Sequence, residues 1–367
     1  MHLFESILPV GLGFSVALSV SAKMVNLTGN VEGASYAIQF LEDSEVRSGQ
    51  ALLLAHGYWP EAMPVDVVDD WGNRLTESLI EDGWMVGFSS YRRNGWIMQD
   101  AARDVENLYE LVAAAAHGQL TEVYVMGDSM GGGIGTLLAE NPGDRFSGVL
   151  AMGAYLFGPI GESEAGSTEL GAHFSVKPKI PILYLTNTSE LEGPQAYVEA
   201  AIAAEAPVAP ALWKVRREGH VNLNAAEQQA AFEALVNWVA SGEITLEKDG
   251  TVEMNPDSTA ELAAGSAHGL AARLVPIYGN FITNFVRGDF EALGIEIGDR
   301  FELTAGGTTV PVLLGESYGD VGVGEWVGFW DADGYLLICR NYKNAVGTLG
   351  LEAGAEVVVR VLGSGVE

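Results

Sequence analysis

The sequence predicts an α/β fold with a doubly wound, mostly parallel sheet, followed by a small all-β domain. Short apolar runs bounded by turn residues alternate with helical patterns through the first part of the chain. A segment rich in Gly, Ser, Asp and Ala follows, and beyond it strand-like runs recur between glycine-rich turns. Continuous apolar runs are typical of strands buried on both faces, and their alternation with helices favours a parallel sheet.

Length and composition indicate two folded units. The chain has 367 residues, which exceeds one ordinary core, and its 48% hydrophobic and 19% charged residues are typical of a globular protein. We predict an α/β domain over residues 23–241, a linker over 242–272 and a small β-barrel-like domain over 273–367. A short hairpin is expected inside the linker at Lys248-Asp249-Gly250.

Residues 1–22 permit two interpretations, a signal segment or an N-terminal strand. The apolar stretch from Ile7 ends in Val20-Ser21-Ala22, which suits a signal peptidase, but no Lys or Arg precedes it. The stretch from Phe14 to Ser21 also alternates with the two-residue period of a half-buried strand. Export to the periplasm or extracellular space and a cytoplasmic location are both left open.

The first domain opens with strand-like sequence from Lys23 to Glu42, broken by glycines, and continues with buried strands. The predicted core strands are 51–55, 84–88, 123–126, 148–152, 182–185 and 211–215. Two helical faces are formed by Val105, Leu108, Tyr109 and Val112, and by Phe232, Leu235, Val236 and Val239. The predicted strands of the second domain are 301–304, 310–314, 326–330, 336–339 and 357–361.

Charge and cysteine content exclude several classes of partner. The formal net charge of -30, from 49 acidic and 19 basic residues, disfavours binding to nucleic acid or anionic membranes. No apolar stretch reaches the roughly 18 residues that a spanning helix needs, so membrane insertion is not expected. Cys339 is the only cysteine, and the Cys/His spacing of a zinc site is absent from the sequence. We predict neither a metal nor an organic cofactor.

The strongest chemical signal is Gly127-Asp128-Ser129-Met130-Gly131, which follows a buried strand and opens a helix. A sharp strand-to-helix turn needs small residues beside the central one and lifts the Ser129 hydroxyl above the sheet. The positive end of the helix dipole also faces such a site. The motif therefore predicts Ser129 as a nucleophile.

A serine nucleophile needs a base, and the base needs a carboxylate. His220 follows the last core strand and precedes the last helix of the first domain, which suits the base better than the surroundings of the other histidines do. In this arrangement the acid lies between Ser and His along the chain, and the loop after 182–185 offers Glu190 and Glu192 but no aspartate. We choose Glu190, with Glu192 as the alternative.

The oxyanion of a tetrahedral intermediate needs backbone N–H donors. Met130, the residue after the nucleophile, should supply one, and Tyr58, in the glycine-containing loop after strand 51–55, should supply the other. His56 is given a positioning role in that loop. The residues assigned to the substrate-binding region are His56, Trp59, Tyr91, Trp96 and Asp128.

Four segments together resemble the α/β-hydrolase superfamily over roughly residues 25–240. They are Ala55-His56-Gly57-Tyr58, Ser90-Tyr91-Arg92-Arg93-Asn94-Gly95-Trp96, Gly127-Asp128-Ser129-Met130-Gly131-Gly132 and Gly219-His220-Val221-Asn222. Within it they look most like bacterial serine esterases, some of which act on aromatic acyl esters such as feruloyl esters. The resemblance implies a sheet of α/β-hydrolase type, a catalytic triad and an oxyanion hole.

The tail resembles a second family, the C-terminal β-domain of S-adenosylmethionine hydroxide adenosyltransferases. The resemblance rests on Tyr278-Gly279-Asn280-Phe281-Ile282-Thr283-Asn284, Ser317-Tyr318-Gly319-Asp320-Val321 and Asn341-Tyr342-Lys343-Asn344-Ala345. In that family this domain forms one wall of a nucleoside site, while the catalytic groups lie in an N-terminal domain that does not appear in this sequence. Pro276 also stands where the family has an acidic residue. We therefore expect a packing, dimerising or lid-forming element rather than adenosyl transfer.

The sequence thus favours a serine hydrolase that cleaves small-molecule carboxylic esters through an acyl-enzyme on Ser129. Aromatic, feruloyl-type esters are included among the candidate substrates. Two alternatives stay open: a nucleoside-binding or S-adenosylmethionine-binding module that regulates a hydrolase domain, and a peptidase on the same scaffold. A homo-oligomer formed through the C-terminal domain is also considered.

Overall fold

A computed structural model describes residues 23–42, 49–67, 73–157, 170–171, 173–275 and 279–362. The signal segment or strand predicted for residues 1–22 lies outside these ranges, as do Pro276 and Tyr278.

The first domain is built on a nine-stranded sheet with helices on both faces. Its strands are β1 (Met24–Val31), β2 (Ala34–Leu41), β3 (Gln50–Ala55), β4 (Met85–Ser89), β5 (Glu122–Asp128), β6 (Gly148–Met152), β7 (Ile182–Asn187), β8 (Ala211–Val215) and β9 (Glu247–Asp249). Its helices are α1 (Asn73–Glu81), α2 (Met98–Ala115), α3 (Met130–Glu140), α4 (Glu192–Ala203) and α5 (Ala225–Ser241).

The sheet has the strand order β1-β2-β4-β3-β5-β6-β7-β8-β9. The β1–β2 hairpin joins the sheet antiparallel to β4, and every later pairing, from β4–β3 to β8–β9, is parallel. The strands β3 to β8 are apolar and buried because helices cover both faces. The predicted doubly wound, mostly parallel sheet is confirmed.

Each face of the sheet has its own hydrophobic core. Val105 of α2, Ile134 of α3 and Tyr197 of α4 belong to the core on one face. Leu79 of α1 and Phe232 of α5 belong to the core on the other. Because the strands are parallel, the loops after β3, β5, β7 and β8 all leave from the same edge of the sheet, which is where α/β proteins place their ligands.

The segment 242–272, predicted as a linker, contributes strands to both sheets. β9 lies inside it and pairs in parallel with β8, with Lys248 opposite Trp213, so the expected hairpin at Lys248-Asp249-Gly250 is wrong. The Lys248 Nζ lies 4.1 Å from the centroid of the Trp213 ring. β9 is an exposed edge strand of charged residues and therefore carries no apolar pattern that a sequence reading could recognise.

The C-terminal domain is a closed, all-β sheet, as predicted. Its order is β10-β11-β12-β16-β15-β14-β13-β17, and pairing of β11 with β17 closes it. Its core includes Phe281, Phe285, Phe290 and Phe301. The strands are β10 (Glu261–Ala263), β11 (Ser266–Val275), β12 (Asn280–Val286), β13 (Arg300–Ala305), β14 (Thr308–Leu314), β15 (Trp326–Trp330), β16 (Tyr335–Arg340) and β17 (Glu356–Val361), with the short helices α6 (Arg287–Leu293) and α7 (Ala345–Leu349).

Candidate active site

Ser129 occupies a strained turn between β5 and α3. Its backbone has φ 53° and ψ -117°, a left-handed conformation that costs a non-glycine residue on the order of 1–3 kcal/mol. A Cβ on Gly131 would collide with the carbonyl oxygen of Ala55, and one on Gly127 would collide with the carbonyl oxygen of Gly131. The two glycines are therefore required for the turn that presents the Ser129 hydroxyl.

His220 connects Ser129 to Glu190. The Nε2 of His220 lies 2.9 Å from Ser129 Oγ, and its Nδ1 is hydrogen-bonded to a carboxylate oxygen of Glu190. The second oxygen of Glu190 accepts the backbone N–H of Val221 at 2.9 Å. The alternative acid, Glu192, is the exposed first residue of α4. The structure therefore brings Glu190 to His220 and leaves Glu192 at the helix end.

The loop after β7 carries Glu190 and is called the acid loop, and the loop after β8 carries His220 and is called the base loop. Side chains of the acid-loop segment hold the two loops together by bonding to backbone groups of the base loop. Asn187, fully buried at the end of β7, accepts the N–H of Asn222 at 2.8 Å and donates to its carbonyl at 2.9 Å. Ser189 Oγ donates to the carbonyl of Gly219 at 2.8 Å and accepts its N–H at 2.9 Å. These paired bonds fix His220 relative to Glu190 before any substrate binds.

Two opposing effects set the pKa of His220. Burial lowers it, but the hydrogen bond and negative charge of Glu190, joined by the charge of Asp128, raise the pKa above its ordinary value of 6.5. More than half of the His220 side chain, 55%, is exposed, so a substrate can reach it. The imidazole is thus placed to hold a proton transiently while it contacts a ligand.

Asp128, next to the nucleophile, is a buried carboxylate with one oxygen that has no hydrogen-bond partner. Burial raises the pKa of its carboxyl from 3.8 to about 6, against the lowering effects of His220 and of the backbone N–H of Gly57. The predicted substrate contact of Asp128 stays a prediction, and its negative charge helps to raise the pKa of His220.

Two backbone N–H groups are candidates for the oxyanion hole. Met130 is the first residue of α3, so its N–H has no acceptor inside the helix. The loop after β3 passes close to the nucleophile, because a Cβ on Gly57 would stand 3.4 Å from Ser129 Cβ. Tyr58 follows in that loop. Met130 therefore directly follows Ser129, the loop that carries Tyr58 passes beside it, and the role of both N–H groups as oxyanion donors stays a prediction.

Three other residues predicted to contact substrate lie behind the oxyanion loop. Tyr91 is fully buried and donates its hydroxyl proton to the carbonyl of His56 at 3.0 Å, and the His56 ring stacks on Tyr91 at 4.0 Å. Trp59 is buried against the other side of His56, with ring centroids 4.5 Å apart. Burial lowers the pKa of His56 to about 4, so its ring is neutral. These three side chains pack on one another next to the loop after β3, and their contact with substrate stays a prediction.

An aromatic wall lies beside the nucleophile, and sequence reasoning found only part of it. The wall consists of Tyr58, Trp96, Tyr155 and Phe157, all partly exposed. Tyr58 stacks on Trp96 with centroids 4.9 Å apart, Trp96 lies 5.0 Å from Tyr155, and Tyr155 meets Phe157 edge to face. The backbone N–H of Tyr155 donates to the carbonyl of Ser129 at 3.0 Å. Tyr155 and Phe157 were missed because no motif marks them.

Within the described ranges, no group of three or more His, Cys, Asp or Glu side chains is arranged to hold a metal ion. None of the helices in the described part of the chain is long and apolar enough to span a bilayer.

The strand order, the turn at Ser129 and the loops that carry Glu190 and His220 give the first domain the α/β-hydrolase fold. It is similar to the α/β hydrolase MGS-M1 from a Medee basin deep-sea metagenome, with 16% identity, coverage of 59% of this chain and 96% of that one, and a TM-score of 0.44. It is also similar to a protein of Klebsiella pneumoniae that is assigned as a dienelactone hydrolase. The identity is 14%, the coverage is 60% of this chain and 99% of that one, and the TM-score is 0.43.

The second domain has its own relatives. Residues 277–358 match the family of the SAM hydroxide adenosyltransferase C-terminal domain. The chain is 34% identical over 86 residues to a fluorinase of Nocardia brasiliensis, covering 23% of this chain and 29% of that protein. The chain therefore spans under a third of that relative.

The three motif segments of the second domain meet in space. Asn280 Nδ2 donates to the Tyr318 hydroxyl at 3.0 Å, and the N–H of Val346, directly after the third segment, donates to the carbonyl of Gly279 at 2.8 Å.

Proposed function

We propose that this protein hydrolyses carboxylic esters through an acyl-enzyme formed on Ser129. The observation that supports the proposal is the hydrogen-bonded series Ser129–His220–Glu190 beside the backbone N–H groups of Met130 and Tyr58. Acyl transfer requires a serine activated by a histidine, a carboxylate that orients the histidine, and paired N–H donors.

Each group has one task in the reaction. Ser129 Oγ attacks the ester carbonyl carbon while its proton passes to His220 Nε2, and the oxyanion accepts the Met130 and Tyr58 N–H groups. Collapse of this intermediate breaks the bond to the alcohol, which leaves with the proton from His220. Water then loses a proton to His220, attacks the acyl carbon and releases the acid, and the proton returns to Ser129. Glu190 stabilises the imidazolium throughout.

The aromatic wall is proposed to bind the acyl group. The alcohol must lie beside His220, since it takes its proton from Nε2. In the sheet order, the loops after β3 and β4, which carry Tyr58 and Trp96, lie on the opposite side of β5 from the loops that carry Glu190 and His220. The acyl chain therefore points toward Tyr58 and Trp96. Flat, unsaturated acyl groups gain most from stacking on such rings.

A comparison of two serine variants tests the proposal. Ser129→Ala should remove hydrolysis of p-nitrophenyl acetate and butyrate, measured as p-nitrophenol release, to the rate of the buffer reaction. Ser241→Ala, on the far end of α5, is the matched control and should keep the wild-type rate. Full activity of Ser129→Ala in folded protein would refute the assignment. Methyl ferulate, methyl octanoate and an amide analogue, assayed together, would rank ester against amide and aromatic against alkyl acyl groups.

A further inference from the structure

The C-terminal domain contacts the segment that carries His220. The turn between β15 and β16 presents two carbonyl oxygens to the first domain, those of Trp330 and Ala332. The Nδ2 of Asn222 donates to Trp330 and the Nδ2 of Asn224 donates to Ala332, each at 3.3 Å. The same two amides also donate to other carbonyl oxygens, that of Asn222 to Glu218 at 2.9 Å and that of Asn224 to Val252 at 2.8 Å. Two asparagines that flank the end of the base loop are thus shared between the domains.

The base loop needs external support because its backbone is strained. Gly219 has φ 115°, which suits glycine, but Val221 has φ 49°, a conformation that a β-branched residue rarely adopts. Such residues persist only where the surrounding structure fixes them. His220 lies between these two residues. A shift of Asn222, two positions later, would therefore change the direction of the imidazole.

The turn that supports the loop is itself rigid. Asp331 Oδ1 accepts the backbone N–H of Asp333 at 3.0 Å and of Tyr335 at 2.8 Å. Gly334 has φ 88°, and a Cβ at this position would stand 2.7 Å from Pro256 Cδ, so the chain entering the second domain packs directly on the turn. The carbonyls of Trp330 and Ala332 therefore have a defined direction.

Both catalytic loops reach the second domain at one place. A groove of about 320 Å³ beside the turn is lined by Thr188 of the acid loop, Glu218 of the base loop and Trp330 of the second domain, among others. Within it Thr188 Oγ1 donates to Glu218 Oε1 at 3.1 Å. The domain boundary and the triad are thus adjacent parts of the structure.

We propose that the turn Trp330–Ala332 is a positioning element of the catalytic centre. It holds Asn222 and Asn224, and through them it keeps His220 in line with Ser129 and Glu190. The inference rests on the proposed function, because it concerns the same histidine. It gives the second domain a role that needs no ligand of its own.

The test loosens the turn without altering any residue of the hydrolase domain. Asp331→Ala removes the single oxygen that accepts both N–H groups, whereas Asp331→Asn keeps an oxygen able to accept them. Asn344→Ala is the matched control, because it removes a comparable cap at α7, beyond the other end of β16. The readouts are kcat and KM for p-nitrophenyl acetate, the rate constant for inactivation by diisopropyl fluorophosphate, and the melting temperature.

The proposal predicts that Asp331→Ala lowers kcat and the inactivation rate constant roughly tenfold with KM within about twofold, since small misplacements of catalytic groups cost up to a hundredfold. Asp331→Asn should restore both values, and Asn344→Ala should leave both unchanged. Wild-type rates in folded Asp331→Ala, or an equal loss in Asn344→Ala, would overturn the positioning role.

A second variant covers the case in which Asp331→Ala does not fold. Asn224→Ser keeps an oxygen to cap α5 but removes the amide that reaches Val252 and Ala332. It should lower the same two rates, and wild-type rates would again overturn the proposal. If the wild-type protein neither cleaves the ester nor reacts with the fluorophosphate, the proposed function fails. If the wild-type protein cleaves the ester and reacts with the fluorophosphate, and the variants do so at the same rates, only the positioning role fails.

Discussion

His220 Nε2 lies 2.9 Å from Ser129 Oγ although 91 positions separate the two residues along the chain. The parallel sheet creates this proximity, because β5 and β8 end at the same edge of the sheet and the residues that follow each strand lie at that edge. Ser129 is fixed by the turn into α3, and His220 by Glu190, Asn187 and Ser189.

Removing the base should be as damaging as removing the nucleophile. His220→Gln keeps a polar side chain but has no group that can take the serine proton near neutral pH. We expect kcat for a p-nitrophenyl ester to fall roughly 10⁴-fold or more. His117→Gln, a histidine on the loop after α2, is the control and should retain wild-type kcat. A loss of less than tenfold for His220→Gln would exclude it as the base.

The two candidate acids can be separated by matched amide substitutions. Glu190→Gln should reduce kcat by roughly 10²–10⁴-fold, because the imidazolium loses its counter-charge and its preferred tautomer. Glu192→Gln should change kcat by less than about twofold. The comparison uses steady-state rates with melting temperatures measured in parallel. The reverse ranking would move the acid to Glu192.

Asp128 should affect the pH dependence of activity. The rate rises as pH increases through the pKa of His220, because only the neutral imidazole accepts the serine proton, and the charge of Asp128 helps to raise that pKa. Asp128→Asn should therefore move the acidic limb of the kcat/KM profile to lower pH, by roughly half a unit. A limb that stays in place or moves upward would show that Asp128 does not influence His220.

The same substitution should also change stability in a pH-dependent way. The carboxyl of Asp128 has a folded pKa of about 6, above its ordinary value of 3.8, so the folded state opposes its ionisation. This destabilisation is absent below pH 4 and complete above pH 6. Asp128→Asn should consequently raise the melting temperature at pH 8 and change it much less at pH 4. An equal change at both pH values would argue against a buried charge.

Trp96 should determine acyl preference. Trp96→Leu removes the central ring of the aromatic wall, and we expect kcat/KM for methyl cinnamate to fall roughly fivefold to tenfold, an amount comparable to one aromatic contact of about 1 kcal/mol. Methyl octanoate should change by less than about twofold. Tyr109→Leu, which removes an aromatic residue of α2 that is not part of the aromatic wall, is the control. Equal losses for both esters would mean that Trp96 acts on stability rather than on acyl binding.

Much of this architecture follows from local sequence. The core strands carry apolar runs, and the turn at Ser129 carries glycines that its steric contacts require, so both could be predicted. β9 could not, because an exposed edge strand of Glu, Lys and Asp has no pattern that distinguishes it from a loop. The burial of Tyr91 and Trp59 could not be predicted either, because polar-tipped aromatic residues near a motif can face either the ligand or the loop that supports it. Tyr155 and Phe157 became visible only when the fold placed the loop after β6 beside Trp96.

The contact between Asn222 and Trp330 is also a long-range feature, with 108 positions between the two residues. No pattern in either segment indicates it, because Trp330, at the end of β15, takes part only through its backbone carbonyl. Contacts of this kind depend on how two separately folded units meet.

The central claim is a covalent acyl-enzyme on Ser129, and its most direct measurement is mass spectrometry of protein quenched in acid during turnover of p-nitrophenyl butyrate. We expect a mass increase equal to one butyryl group, located by peptide fragmentation on Ser129 and absent from Ser129→Ala. A butyryl group on another residue, or the same mass increase in the Ser129→Ala protein, would contradict it.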